Sequence, residues 1–258
     1  MLSPGVPLNT HPLAARARAA QVPIIGDIEL FAQARTGLPA HRVVGITGTN
    51  GKSTTTALIH HLLQQAGVPA RLGGNIGLPI LSQQPLPGGG VYVLELSSFQ
   101  IDLTHSLDCD VAVLTNITPD HLDRYESFDA YAASKARLFA MQEAGHAAVV
   151  ATDDAPSRAA ADALGQRAVR VSQQDAIGDQ AAWPSLQGPH NRQNVACAIA
   201  AVRALGLGHV VTDDALARYP GLPHRMQRVA EIAGVLYVND SKATNPTSAA
   251  PALAAYPA

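Results

Sequence analysis

The sequence predicts an α/β protein in which a mostly parallel sheet is flanked by helices. Short apolar runs rich in β-branched residues alternate with stretches whose hydrophobic residues repeat at helical spacing. The first apolar run leads directly into a glycine-rich turn. Because alternating strands and helices build parallel sheets, we expect helices on both faces of this sheet.

Four apolar runs are predicted to be buried strands. Each run contains β-branched residues and is bounded by Gly, Pro, Asn or Asp, which is typical of strands in such sheets. In chain order the runs are RVVGIT, VYVLELS, VAVLTNI and AAVVAT. We therefore expect these four segments to form the centre of the sheet.

Helical hydrophobic periods separate these strands and continue beyond them. The first period has its leucine and isoleucine residues between positions 58 and 63 and ends at Gly67. Three more helices are predicted over residues 128–141, 159–164 and 191–205. Around Pro220, the segment ARYPGLPHR indicates a linker into another unit that begins near Leu222.

Composition excludes several function classes. The 258 residues carry a formal net charge of -2, which gives no basic field to hold a nucleic acid backbone. Two cysteines without metal-ligand spacing and a start that lacks a leader pattern indicate a reducing, cytoplasmic compartment. No apolar run approaches the ~20 residues of a membrane span. We therefore expect no nucleic acid partner and no membrane insertion.

The stretch VVGITGTNGKSTTTALI indicates a phosphate-binding loop. Gly48 and Gly51 permit a tight turn, Lys52 supplies a positive charge, and Ser53 opens a helix whose N-terminus favours anions. The strict phosphate-loop pattern fails, because Ile46 stands where that pattern has its first glycine. The open alternative is an ordinary glycine-rich turn between a strand and a helix.

Polar residues near the predicted strand ends and helix starts are candidate ligands. Glu95 ends an apolar strand, where a carboxylate can hold Mg²⁺, although loop N–H groups can also satisfy it. His121 follows the next strand and, from sequence alone, is a surface residue. Asn191 and Asn194 share one face of a predicted helix, where sequence alone assigns them to capping. The sequence leaves both interpretations open at each position.

Lys135 lies on the apolar stripe of the predicted helix FDAYAASKARLFA. Tyr131, Ala132, Leu138 and Phe139 are three or four positions away from it and so share its face. Sequence alone favours a side chain that extends along the apolar surface to reach water. If Lys135 cannot reach water, desolvation lowers its pKa and leaves neutral amine that can add CO₂.

The loop GTNGKS resembles that of the Mur ligases, the ATP-dependent amide-forming enzymes of peptidoglycan precursor synthesis. Four further stretches are similar to segments of this family and occur in the same order: GGNIGLP, LELSSFQ, DHLDRY and NDSKATNP. The similarity covers nearly the whole chain. It implies a ligase that adds glutamate to UDP-N-acetylmuramoyl-L-alanine through an acyl phosphate.

The resemblance also implies roles for individual residues. ATP contacts would come from Gly48, Thr49, Asn50, Gly51, Lys52, Ser53, Thr54, Asn191, Asn194, Arg225 and Asp240. Contacts to the muramoyl substrate and the incoming glutamate would come from Ser3, Gly5, Asn75, Ser97, Ser98, Lys242 and Thr244. One Mg²⁺ would be held by Ser53 and Glu95, and a second by His121 and a carbamylated Lys135. The catalytic set would be Lys52, Glu95, His121 and Lys135.

By the same resemblance, the chain divides into three parts with partial Rossmann-like domains on either side of a central one. Residues 1–40 would be the remnant of a UDP-binding domain, 41–221 the central ATP-binding domain, and 222–258 the start of a glutamate-binding domain. We expect a monomeric fragment of a ligase, or a split or misannotated gene product. Alone, it should bind nucleotide weakly and should not complete the ligation.

Four other functions stay open at this stage. A related ligase would use another amino acid or a folate acceptor, as folylpolyglutamate synthetases do, and a close variant would add L-glutamate. A non-catalytic nucleotide-binding module would bind ATP without ligation. A small-molecule kinase would need an Arg-rich lid, and no Arg-rich segment follows the loop at the usual place.

Overall fold

The computed structural model describes residues 1–256, and its centre is a six-stranded sheet. Every strand pair in this sheet is parallel, and the spatial order is β2-β3-β1-β4-β5-β6. The strands are β1 (His41–Thr47), β2 (Ala70–Gly74), β3 (Gly90–Glu95), β4 (Val111–Leu114), β5 (Ala147–Ala151) and β6 (Ala168–Val171). The parallel sheet predicted from the alternating pattern is confirmed.

Helices precede, connect and follow these strands. They are α1 (Pro12–Ala19), α2 (Asp27–Ala34), α3 (Lys52–Gln65), α4 (Ser98–Asp102), α5 (Phe128–Ala140), α6 (Ala155–Leu164), α7 (Pro189–Ala204), α8 (Asp213–Ala217) and α9 (Pro246–Ala254). A separate antiparallel hairpin pairs β7 (Gln227–Ile232) with β8 (Val235–Asn239). Within residues 1–256, none of the helices has the length and apolar character needed to cross a bilayer.

Helices cover both faces of the parallel sheet, as the sequence predicts. On one face, α3 and α7 pack over Val44 and Ile46 of β1, all within one buried cluster. On the other face, α2, α5 and α6 pack in a second cluster that contains Val43. Neighbouring residues of β1 thus point to opposite faces, which is why both Val43 and Val44 are buried.

The sequence does not predict the two outer strands of the sheet, β2 and β6. β2 reads ARLGG and β6 reads AVRV, and several of their residues stay partly exposed. Glycine and arginine break the apolar run that identifies a buried strand, so these segments carry a weak signal. The predicted helices are all present, and α6 is longer than predicted because Asp154 caps it four residues earlier.

Candidate functional site

A cavity of about 300 Å³ opens where β1 and β3 end. One wall is the glycine-rich loop with the start of α3, and the other is formed by residues 219–251. The predicted site residues that line it are Thr49, Asn50, Gly51, Lys52, Ser53, Thr54, Asn75, Glu95, His121, Asn191, Asn194, Arg225, Asp240, Lys242 and Thr244. The predicted residues outside its lining are Ser3, Gly5, Gly48, Ser97, Ser98 and Lys135.

Two glycines give the loop its shape. Gly48 has φ 146° and Gly51 has φ 82°, a region that favours glycine. A Cβ atom at Gly51 would collide with Oδ1 of Asn194, and one at Gly48 would collide with Oγ1 of Thr115. Side chains therefore pack against the loop so closely that only glycine fits at either position.

Asn116 holds the turn from below. Its Oδ1 accepts a hydrogen bond from the backbone N–H of Asn50 at 2.8 Å, and its Nδ2 donates to the Asn50 carbonyl at 2.9 Å. Asn116 lies two residues beyond the end of β4. The rigid loop thus presents the N-terminus of α3 to the cavity, which is a favourable place for an anion.

The Lys52 side chain folds back onto its own loop. Its Nζ donates to the carbonyl oxygen of Thr49 at 2.7 Å. Burial lowers the pKa of Lys52, while the negative charge of Glu95 acts in the opposite direction. A phosphate at the loop would compete with the Thr49 carbonyl for this amine and would offer a stronger, charged acceptor.

Glu95 is a buried carboxylate with one free oxygen. The residue is 3% exposed, and its Oε1 accepts a hydrogen bond from Nδ2 of Asn75 at 3.2 Å. Its Oε2 has no hydrogen-bond partner among the described residues. An N–H group of the loop after β2 therefore satisfies one carboxylate oxygen of Glu95 and leaves the other without a partner. A buried carboxylate oxygen without a partner is costly, so this position suits a cation.

Arg225 reaches across the cavity to the start of α3. Its Nη2 donates to the hydroxyl of Ser53 at 2.8 Å. Beside it, Nδ2 of Asn245 donates to Oδ1 of Asn50 at 3.3 Å, and Nδ2 of Asn50 donates to Oγ1 of Thr247 at 3.2 Å. The part of the chain that follows residue 222 therefore lies directly over the loop.

His121 lies at the rim of the cavity in an exposed turn. Its side chain is 49% exposed, and its φ of 53° places it in the left-handed region. Nε2 of His121 is 3.8 Å from a carboxylate oxygen of Asp120, and its ring centroid is 5.0 Å from that of Phe99. The imidazole is therefore accessible to a ligand in the cavity.

Lys135 lies behind the loop rather than in the cavity. It is 1% exposed, so the predicted extension of its side chain to water is wrong. Its Nζ donates to the carbonyl oxygen of Gly48 at 2.7 Å and lies 4.5 Å from the ring centroid of Tyr131. Burial lowers the pKa of Lys135 well below its usual value, and the positive charge of Lys52 lowers it further.

Asn191 and Asn194 do not cap α7, because the helix begins at Pro189 after the N-cap residue Gly188. Both side chains are buried, and Nδ2 of Asn194 donates to Oδ1 of Asn191 at 3.0 Å. Oδ1 of Asn194 accepts from Thr55 at 3.3 Å. The pair thus ties α7 to the first turn of α3, and both residues also line the cavity.

Three other candidates have local structural partners. Oδ1 of Asp240 accepts from the backbone N–H of Met226 at 3.0 Å. Ser97 caps α4, because its Oγ accepts from the backbone N–H of Gln100 at 3.2 Å. Ser3 closes a turn in which its carbonyl accepts from the N–H of Val6 at 3.1 Å.

Several cavity residues were missed from the sequence. They are Asn116, Asp120, Ser185, His190, Tyr219, Met226 and Asn245. Asn116 follows a buried strand, as Glu95 ends one, so the same signal could have found it. Tyr219 is buried with a hydroxyl that has no partner among the described residues, and nothing local in the sequence marks it.

The fold and the loop define an α/β protein with a glycine-rich loop between a strand and a helix at the carboxyl edge of a parallel sheet. The sequence matches the family described as Mur ligase middle domain over residues 46–183, which is more than half of the chain. The chain therefore belongs to the Mur ligase family.

Curated relatives of higher identity extend the match to the whole chain. A UDP-N-acetylmuramoylalanine--D-glutamate ligase from Sphingopyxis alaskensis is 65% identical over 258 residues, which is 100% of this chain and 59% of the relative. A ligase of the same name from Zymomonas mobilis is 58% identical, and the match covers 100% of this chain and 60% of the relative. The chain thus spans about 60% of the length of these relatives.

Solved structures share the fold. A MurF ligase from Thermotoga maritima in complex with ADP has a TM-score of 0.72 at 21% identity, with 89% of this chain and 61% of that chain covered. MurF from Acinetobacter baumannii gives a TM-score of 0.68 at 21% identity, and the match covers 88% of this chain and 57% of that chain. Likeness at this identity supports the shared fold alone.

Proposed function

We propose that this chain carries the ATP site of a ligase that adds D-glutamate to UDP-N-acetylmuramoyl-L-alanine. The observation that carries the proposal is one cavity lined by both the glycine-rich loop and Glu95, whose Oε2 has no partner among the described residues. The substrates come from the name of the relatives, which are 65% and 58% identical over the whole chain. The reaction belongs in the cytoplasm and needs no nucleic acid, and we propose a monomer.

ATP would lie with its phosphates on the loop from Gly48 to Thr54. Backbone N–H groups of the loop and of the N-terminus of α3 would donate hydrogen bonds to the phosphate oxygens. The Lys52 amine would leave the Thr49 carbonyl and contact the phosphate oxygens. The Arg225 guanidinium would release the Ser53 hydroxyl and contact the nucleotide instead. Asn191, Asn194 and Asp240 line the same cavity and would form the nucleoside end of the site.

Residues at the loop fit one Mg²⁺ ion, and we propose a second. The hydroxyl of Ser53 and the free oxygen of Glu95 are hard oxygen donors, and Oε2 of Glu95 lacks any other partner among residues 1–256. A second ion would be held by His121 and a carbamylated Lys135. Bound there, Mg²⁺ would offset the negative charge that the phosphates and the reacting carboxylate bring together.

Carbamylation of Lys135 would reconcile its burial with a catalytic role. A neutral amine adds CO₂ and releases one proton, so the side chain becomes an anionic carbamate. The remaining N–H of that carbamate can still donate to the Gly48 carbonyl. Burial lowers the pKa of Lys135 and so favours the neutral amine, which is the form that adds CO₂.

The reaction would proceed in two steps. A carboxylate oxygen of the muramoyl substrate attacks the γ-phosphorus of ATP, so that a new P–O bond forms, the bond to ADP breaks, and an acyl phosphate results. The glutamate amine then attacks the activated carbonyl, loses a proton, and expels phosphate from a tetrahedral intermediate. Lys52 would stabilise the charge that develops in the first step.

The substrate side of the site would extend beyond the cavity. Asn75, Lys242 and Thr244 line it and would orient the reacting carboxylate and the incoming amino acid. Ser3 and Gly5 would contact the diphosphate of the UDP group. Ser97 would lie near the muramoyl group while it keeps its role as the cap of α4.

A chimera tests this function directly. The matched segment of the Sphingopyxis alaskensis relative is replaced by this chain, and ADP and glutamylated product are measured. We expect glutamylated product only when ATP, D-glutamate and UDP-N-acetylmuramoyl-L-alanine are all present, ADP only when ATP and UDP-N-acetylmuramoyl-L-alanine are both present, and neither product in the chimera with Lys52→Met. A chimera with Arg158→Met, a change at an exposed position, is the matched control and should keep its activity.

Two results would refute the proposal. One is ADP release that does not depend on the muramoyl substrate. The other is ligation that prefers L-glutamate or a folate acceptor when each is supplied at the same concentration.

A further inference from the structure

Arg124 makes an unusual set of contacts to the start of the chain. Its Nη1 donates to the carbonyl oxygen of Gly5 at 3.3 Å, and its Nη2 donates to those of Pro4 at 3.4 Å and Val6 at 3.1 Å. Its guanidinium carbon lies 4.2 Å from the ring centroid of Phe99. One side chain thus connects three consecutive backbone carbonyls to an aromatic platform.

These contacts need an arginine rather than a simple positive charge. The planar guanidinium has several N–H donors in a fixed fork and also stacks on aromatic faces, whereas a lysine amine does neither in the same way. Within residues 1–256, no carboxylate forms an ion pair with Arg124. Its positive charge is therefore held beside the turn from Ser3 to Val6.

The loop that carries Arg124 also carries His121. The backbone N–H of Arg124 donates to the His121 carbonyl at 2.9 Å, and the Phe99 ring contacts both His121 and Tyr125 at centroid distances of 5.0 and 6.1 Å. The Tyr125 hydroxyl donates to Asp102 at 2.8 Å, which fixes this loop to α4. Arg124 is therefore the link between the first turn of the chain and the rim of the cavity.

The cleft at this junction is too small to be a separate ligand site. It measures about 30 Å³ and lies between Pro4, Val6, Leu8, Phe99 and Arg124. Drug-sized ligands occupy pockets of roughly 300 Å³ or more. These residues therefore pack against one another and set the position of the turn from Ser3 to Val6.

We infer that Arg124 is a positioning residue that holds the turn from Ser3 to Val6 in register with His121. A nucleoside-diphosphate-sugar substrate whose diphosphate lies on that turn is thereby placed with its carboxylate end toward the cavity. This inference rests on the proposed function for the identity of the substrate. The link between Arg124 and the turn stands on the contacts above.

Amide hydrogen exchange of the chain tests the link without any ligand. Arg124→Met keeps much of the side-chain length and removes the fork, and Arg124→Lys keeps the charge. We expect the hydrogen-bonded amides of this segment, those of Val6 and Thr10, to exchange about tenfold faster in Arg124→Met, because the charge-assisted hydrogen bonds that hold the turn are lost, and less so in Arg124→Lys. β1 should not change in either variant, and the exposed control Arg158→Met should match the wild type.

Titrations with ADP and with UDP-N-acetylmuramoyl-L-alanine test the positioning. We expect Arg124→Met to weaken binding of the UDP compound about tenfold, with partial recovery in Arg124→Lys, and to leave ADP binding unchanged. Unchanged exchange in Arg124→Met overturns the link. Faster exchange with unaltered binding of the UDP compound, or an equal loss of ADP binding, overturns the positioning role.

The outcome for the wild type separates this inference from the proposed function. A wild-type chain that binds ADP but not the UDP compound contradicts the proposed substrate, and with it the positioning of that substrate. The exchange experiment still decides whether Arg124 holds the turn.

Discussion

The side-chain nitrogen of Lys135 lies 2.7 Å from the backbone carbonyl oxygen of Gly48, at the back of the glycine-rich loop. This hydrogen bond joins α5 to the end of β1 through a side chain that is 1% exposed. Because Gly48 also has φ 146° and packs against Thr115, the amine supports a loop that is already constrained. Lys135 thus has a structural role in holding the loop, whether or not it takes part in the reaction.

Stability should depend on pH through Lys135. Its pKa is lowered in the folded chain, whereas a lysine in an unfolded chain titrates near pH ~10.4. Between the lowered pKa and about pH 10.4, the unfolded chain binds a proton that the folded chain does not. The free energy of unfolding should therefore rise with pH across this window, by up to about 1.4 kcal/mol per pH unit.

Urea denaturation at several pH values in CO₂-free buffer measures this effect. We expect the stability of the wild type to rise with pH relative to that of Lys135→Met, which cannot titrate. Lys242→Met, at an exposed position, is the matched control and should follow the wild type. Parallel curves for the wild type and Lys135→Met would show that the lysine is not desolvated.

A carbamate on Lys135 should be visible by ¹³C NMR. With ¹³C-bicarbonate at neutral pH, we expect a carbamate signal in the wild type that is missing from Lys135→Ala. Neutral amine in the buried side chain is the physical reason, because only that form adds CO₂. A signal of equal strength in both proteins, or in neither, would end the proposal of a carbamylated Lys135.

Glu95 and His121 should affect the Mg²⁺ dependence of nucleotide binding. Glu95→Gln keeps the acceptor for Asn75 but replaces the free carboxylate oxygen by an amide, which does not suit a hard cation. Titrations of ADP at increasing Mg²⁺ should show a higher Mg²⁺ requirement for both Glu95→Gln and His121→Ala. Glu126→Gln, an exposed change in the loop of His121, is the control. If all three variants behave as the wild type, these residues do not hold the ions.

We expect that Gly51 tolerates no side chain, whereas the comparable glycine Gly67 tolerates one. Gly51 and Gly67 both have positive φ, of 82° and 69°, so alanine brings similar backbone strain at each. Only at Gly51 would the new Cβ collide with Asn194, while it meets open space at Gly67. We expect Gly51→Ala to weaken ADP binding at least about tenfold and Gly67→Ala to leave it unchanged. Equal affinities in calorimetry would show that the loop adapts.

The sequence predicts the centre of the fold better than its edges. Strands β1, β3, β4 and β5 are mostly apolar because both of their faces are buried, and this gives them a clear signal. The outer strand β6 keeps Val169 43% exposed and carries Arg170, so its composition resembles that of a loop. In the hairpin, β7 is largely exposed and β8 is at most partly buried, so no buried period marks either strand.

Sequence reasoning finds site residues where the motif is contiguous and fails where the contact is long-range. Lys52 and Ser53 follow directly from the loop, and Glu95 follows from its place at the end of a strand. The burial of Lys135 depends on packing between α5 and the far end of β1, which no local pattern reveals. The same holds for Arg124, whose partners lie more than 110 residues away in the chain.

The proposed function requires that the loop around Lys52 binds the phosphates of a nucleotide. Isothermal titration of the chain with ADP and Mg²⁺, for the wild type and Lys52→Met, tests it most directly. We expect one ADP per chain in the wild type and binding at least about tenfold weaker in Lys52→Met, because a charge-assisted hydrogen bond to phosphate is lost. Equal affinity for ADP in two folded proteins, or no binding to the wild type, would contradict the account.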